Sequence, residues 1–126
     1  MPVDVGAELW EAWATGRLCL QECGDCHALQ HPPGPVCARC HRTGLSLRDI
    51  DGAGALVSWS TVYRAPAPEF ADDIPYTIAI VSVSDQALVE ARMDPAMAID
   101  VLQVGMPVRL TIGEVAGRRL PVVTSA

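Results

Sequence analysis

Cys23-Gly24-Asp25-Cys26-His27-Ala28-Leu29-Gln30-His31-Pro32-Pro33-Gly34-Pro35-Val36-Cys37-Ala38-Arg39-Cys40 is the stretch that decides how this 126-residue chain folds. A two-residue gap lets both sulfurs of a Cys-x-x-Cys pair turn toward one point. Two such pairs, ten residues apart, supply the four thiolates of a tetrahedral site. Gly24 is expected to take the positive φ of the first tight turn, a residue the second pair lacks. Cys23, Cys26, Cys37 and Cys40 are therefore the metal ligands, and one structural zinc per chain is the expected cofactor. Iron also accepts four thiolates, so spacing alone does not choose between the two metals. Four sulfurs leave no open position for water, so the metal should hold the fold and not activate a nucleophile. His27, His31 and His41 lie beside the site and read as loop residues, although each is a possible replacement ligand. Two disulfides would need an oxidising compartment. Cys19, in Leu18-Cys19-Leu20, reads as a buried, inert thiol on a strand.

Working outward, the composition is half apolar and matches a soluble globular protein large enough for one modest core or two very small ones. No charge-free apolar run reaches the roughly 18 residues of a membrane span. Met1-Pro2-Val3-Asp4 has neither the basic region nor the apolar run of an export signal, which points to a reducing cytoplasm. The net charge is −6, and all nine basic residues are arginine. Without lysine the chain has no Schiff-base chemistry, no pyridoxal phosphate anchor and no Walker-type phosphate loop. The acidic total argues against general nucleic-acid binding, whose affinity rests on a basic face. Locally, Arg17, Arg39, Arg42 and Arg48 outnumber Glu22 and Asp25, so the cysteine segment is basic. That surplus either offsets the metal–thiolate charge or contacts a phosphate.

Gly6 to Gly16 reads as a short helix, with Leu9 and Trp13 four residues apart on one face, Trp10 beside them and Gly16 as the stop. Trp10 and Trp13 pack on the rest of the chain or dock on another protein. Asp49-Ile50-Asp51-Gly52-Ala53-Gly54 reads as a linker turn. Beyond it, Ala55–Arg64, Tyr76–Asp85, Ala87–Met93, Pro107–Val115 and Leu120–Thr124 read as five strands. A proline-studded loop, Ala65–Pro75, follows the first. A tight hairpin at Ser84-Asp85-Gln86 joins the second and third, and the turn Ala116-Gly117-Arg118-Arg119 the last two. Asp94–Gly105 fills the connection where a helix or loop is expected. The fold class is mostly β: an N-terminal helix (1–16), a rubredoxin-like zinc ribbon (17–48) and a five-stranded OB-fold barrel (49–126).

Helix, ribbon and barrel in this order resemble the zinc-ribbon/OB-fold, acyl-CoA-associated proteins known as domain of unknown function 35. The likeness is carried by Leu9-Trp10, Gly16-Arg17-Leu18, the four cysteines with Pro32-Pro33 and Pro35-Val36, and Leu56-Val57-Ser58-Trp59-Ser60-Thr61. Phe70 ahead of Pro75-Tyr76, Ile78-Ala79, Val81 and Val104-Gly105-Met106-Pro107-Val108 complete it. The Ser84-Asp85-Gln86 hairpin lacks the usual glycine, and Leu120-Pro121-Val122-Val123 lacks the usual aromatic. The resemblance implies a non-catalytic accessory subunit in lipid or steroid metabolism. Such a subunit docks on a thiolase-fold enzyme, a lipid-transfer-type thiolase, aldolase or acyltransferase, as a heterotetramer and helps form its acyl-CoA channel. Arg39, Arg42, Arg64 and Tyr76 are the candidate CoA-binding residues, and Trp10 and Trp13 the candidate partner contacts. Two other readings are a nucleic-acid-binding ribbon and barrel, with Trp59, Tyr63 and Tyr76 stacking on bases, and a stand-alone acyl-CoA-binding protein.

Overall fold

The computed structural model describes residues 6–126, Phe70 by its backbone alone, so Met1-Pro2-Val3-Asp4 lies outside the described residues. Helix α1 spans Ala7–Ala14 and buries Leu9, Ala12 and Trp13, the face that the four-residue spacing predicts. It stops where Gly16 takes φ +89°, a conformation that glycine adopts without strain. Three strands follow: β1 (Cys19–Cys23), β2 (Leu29–Gln30) and β3 (Leu45–Asp49). They form an antiparallel sheet in the order β2-β1-β3.

Five longer strands close into a barrel: β4 (Ala53–Val62), β5 (Tyr76–Val83), β6 (Ala87–Met93), β7 (Pro107–Val115) and β8 (Arg118–Ser125). Their order, β4-β5-β6-β8-β7, is that of an OB-fold. Ala79, Val81 and Val83 on β5 and Ala87, Val89, Ala91 and Met93 on β6 alternate inward, the period-2 burial of a sheet with one buried face. Parallel pairing of β6 with β8, through Arg92↔Val122 and Met93↔Val123, closes the seam. The β5–β6 hairpin needs no glycine. Val83 pairs with Ala87 across a three-residue loop, in which Ser84 and Asp85 both take left-handed conformations, φ 54° and 56°, that short polar residues tolerate.

Within Asp49–Gly54 only Ile50, Asp51 and Gly52 form the linker. Asp49 ends β3, and Ala53 and Gly54 begin β4. Gly54 serves close packing, because a Cβ there would lie 2.5 Å from the Val81 side chain. The last strand likewise starts earlier than Leu120, since Ala116 and Gly117 alone make the turn.

Helix, ribbon and barrel share one core. Leu9 and Trp13 of α1 and Cys19, Leu20 and Leu29 of the ribbon sheet join Leu56, Val81, Val89, Leu110 and Val123 of the barrel. The Trp13 indole N–H donates to the Cys19 carbonyl at 3.1 Å, so Trp13 is a core residue of the chain itself. Leu29 N–H donates to the Gln86 side-chain oxygen at 3.0 Å, tying β2 to the β5–β6 hairpin.

Candidate metal centre and flanking surface

Each Cys-x-x-Cys pair curls into the same turn. The His27 N–H donates to the Cys23 carbonyl and the His41 N–H to the Cys37 carbonyl, both at 2.9 Å. His27 and His41 take the left-handed conformation (φ 62° and 66°), a region where histidine is enriched. Gly24 does not have a positive φ, because the chain reverses after the second cysteine of the pair and not inside it. What Gly24 provides is proximity: its N–H donates to the Gly44 carbonyl at 2.8 Å, and a Cβ would lie 3.1 Å from that oxygen.

The two turns face each other. Cys23 and Cys40 Sγ are 3.5 Å apart and Cys26 and Cys37 Sγ 3.6 Å, with all four sulfurs within 4.8 Å of one another. A tetrahedron of zinc–sulfur bonds of about 2.3 Å sets its sulfurs about 3.8 Å apart, so the cage fits zinc. Amide donors prepare it further. Asp25 and Cys26 N–H point to Cys23 Sγ, and Arg39 and Cys40 N–H to Cys37 Sγ, at 3.4–3.5 Å. The Cys26 and Asp25 amides hold the Cys23 thiol below its usual range, and those of Cys40 and Arg39 bring Cys37 down to about 6. Cys40 moves up to about 12. A hydrogen bond from the Arg42 backbone lowers it, but burial and the neighbouring thiols outweigh that effect. Four sulfurs this close cannot all ionise until a dication replaces their protons.

The histidines stay outside the cage. His27 and His41 are exposed turn residues. His31 packs on Trp13 and Trp10, with ring centroids 5.6 and 6.3 Å away, and burial pushes its pKa down. Cys19 is fully buried in β1, where desolvation pushes its thiol up, as an inert core thiol requires.

The candidate CoA residues fall into separate places. Arg42 reaches Asp25 at 3.7 Å. Arg39 borders a hollow of about 440 Å³ with His31, Asp85 and Gln86. Arg64 is exposed in the loop after β4. Tyr76 lies under the Arg92 guanidinium, 3.7 Å from its ring centroid, and Arg92 also reaches Asp73 at 3.4 Å. That pair borders a hollow of about 340 Å³ between the barrel wall and Trp10, Trp13 and His31. Of the two tryptophans, Trp13 is 4% exposed and closed to a partner, whereas Trp10 is 42% exposed. Arg92 carries no sequence signal of its own. Its link to Tyr76 depends on the register in which β5 pairs with β6.

A closed four-sulfur ribbon sharing a core with an OB barrel defines a class of small metal-bound β proteins. Family models described as the ChsH2 rubredoxin-like zinc ribbon domain and the ChsH2 C-terminal OB-fold domain match residues 10–46 and 47–113. The chain belongs to this ChsH2, or DUF35, family. It is 32% identical over 105 residues to a DUF35 domain-containing scaffold protein of Methanothermobacter thermautotrophicus, covering 80% of this chain and 72% of that one. It is also 32% identical over 101 residues to a probable enoyl-CoA hydratase alpha subunit of Thermomonospora curvata, covering 80% of this chain and 31% of that one. The chain thus spans about a third of the length of that relative. Among solved structures, a chain of the Ltp2-ChsH2(DUF35) aldolase superposes with TM-score 0.80 at 30% identity, covering 97% of this chain and 94% of that one. A DUF35 protein of unknown function from Sulfolobus solfataricus, 13% identical with TM-score 0.55, covering 85% of this chain and 77% of that one, shares the fold.

Proposed function

We propose that this chain is a non-catalytic partner subunit that docks on a thiolase-fold enzyme and helps form its acyl-CoA channel. The observation that carries this reading is the match along 97% of the chain to a component of the Ltp2-ChsH2(DUF35) aldolase. The scaffold-protein name of the methanogen relative points the same way. The metal, enclosed by four sulfurs, fixes the ribbon and leaves the chemistry to the partner. Arg39, Arg42 and Arg64 are the guanidinium groups offered to CoA phosphates, and Tyr76 with Arg92 the planar surface beside them. Because these groups lie in separate places, each one adds to a channel whose other wall is the partner. A nucleic-acid module is disfavoured by charge and by the barrel itself. The face of β5 and β6, which corresponds to the strand 2–3 face that binds oligonucleotides in OB-folds, is bordered by Trp10, Trp13 and His31, which leave only a hollow of about 340 Å³ beside it.

Co-expression with a thiolase-like protein of the same genome tests the proposal. A stable complex with both chains in equal number, and acyl-CoA turnover that needs both, is the expected result. Turnover by the isolated chain, or a thiolase-like protein indifferent to it, would defeat the reading.

A further inference from the structure

Five of the nine arginines are engaged by an acidic side chain or a carbonyl; of the other four, Arg39 and Arg64 lie apart from each other, and one adjacent pair remains. Arg17, Arg42, Arg48 and Arg92 pair with acidic residues, and Arg109 donates to the Asp51 carbonyl. In a chain with 15 acidic residues, the Arg118 and Arg119 guanidinium groups nevertheless have no acidic partner among the described residues. They are consecutive at the tip of the β7–β8 hairpin and exposed. Glu114 stands opposite Arg119 in the ladder without coming within ion-pair distance. Both arginines border a hollow of about 750 Å³ whose other wall is α1, with Trp10, Trp13 and Ala14.

The Trp10 indole in that wall is held in place. It meets the Trp13 ring edge-on with centroids 5.0 Å apart. It also lies over Gly6, where a Cβ would come within 2.5 Å of its Nε1. Only glycine leaves room for the indole there. A half-exposed, immobilised tryptophan beside two unmatched arginines is the composition of an interface hot spot, because both residue types bury large surfaces at low ordering cost. Charge points to the occupant: Glu114 also lines the hollow, but Arg118 and Arg119 outweigh it, so the groove is locally positive on a molecule of net charge −6 and attracts a carboxylate-bearing surface.

We infer that the groove between α1 and the β7–β8 hairpin is the seat of an acidic segment of the partner subunit, which offers carboxylates to Arg118 and Arg119 and an apolar side chain to Trp10. This rests on the partner-subunit reading and assigns it a surface. The test is complex formation between the full chain and the co-expressed thiolase-like protein, measured across a salt series. Three variants are compared: Arg118→Glu with Arg119→Glu, Trp10→Ala, and Gly6→Ala, which evicts the indole without removing it. Zinc content and circular dichroism confirm that each is folded. Each should weaken the complex by about tenfold or more, and the charge reversal should also flatten its salt dependence. Folded variants that assemble like the parent overturn the groove and leave the partner reading intact. Failure of the unmodified chain to assemble overturns both. Micromolar quenching of Trp10 fluorescence by pyrophosphate in the isolated chain would make the groove a small-anion site and overturn the protein occupant.

Discussion

The two halves of this molecule solve the same problem by different means. The barrel encloses Leu56, Val81, Val89, Leu110 and Val123 within a closed sheet, and burial of that apolar surface holds it together. The outer half of the ribbon has only Cys23, Ala28 and Cys37, with Cys26, Cys40 and Leu45 beside them. A cluster that small cannot offset the entropy of ordering its loops, so a metal supplies the difference. The border between the two regimes does not follow the sheets. Cys19, Leu20 and Leu29 belong to the ribbon by hydrogen bonding and to the barrel by packing.

The sharpest way to break this contrast is to remove the metal. Cys37→Ser, or a strong chelator, should abolish zinc binding and unfold the outer ribbon, because structural zinc contributes about 10–16 kcal/mol in small ribbons and fingers. Elemental analysis and amide exchange check this, with the β5 and β6 amides staying protected. Simultaneous loss of the barrel would erase the distinction. Acid should act on the same half. Cys37 titrates at about 6 in the fold against an ordinary 9.0, so its ionised form contributes stability that is complete above pH 9.0 and lost as the pH falls through 6. Bound zinc holds the thiolates ionised further, so release, followed with a metal-sensitive dye, should have its midpoint below pH 6 while the barrel spectrum is unchanged.

Smaller effects should come from the other half. Leu110→Ala opens a cavity in the barrel and should cost about 2–5 kcal/mol by denaturant unfolding, with zinc still at one per chain. Trp13→Phe tests the border. It leaves the Cys19 carbonyl buried without its donor, at about 1–3 kcal/mol, and should loosen both halves together in amide exchange. Arg17→Ala removes an exposed ion pair with Asp49 and should leave the denaturant midpoint close to that of the parent.

Much of this was legible in the chain. Paired cysteines dictate a cage whatever surrounds them, and the β-forming runs Tyr76–Val83 and Ala87–Met93 read as strands from residue type. Other features depend on what lies across a contact. Gly54 looks like a loop glycine until Val81 is seen against it. His27 and His41 look like spare ligands, yet they serve the backbone reversal that Gly24 was expected to make. Spacing sets Trp13 on the face of Leu9 with Trp10 beside it, but whether that face met this chain or a partner is settled only by β1 lying beneath α1. The scatter of Arg39, Arg42, Arg64 and Tyr76 follows from the chain's path, about which residue type says nothing.

The two-residue seam between β6 and β8 also sets an order of events during synthesis. Val122 and Val123 complete the barrel, and they belong to the last of its five strands to be synthesised. The four cysteines emerge some eighty residues earlier, about 4–16 s sooner at ordinary rates of elongation. The metal knot can therefore be tied while Leu9, Trp13 and Leu20 still lack the barrel that will cover them. For that interval the nascent chain presents a closed metal knot beside an uncovered apolar face, the stage at which a chaperone has most to bind.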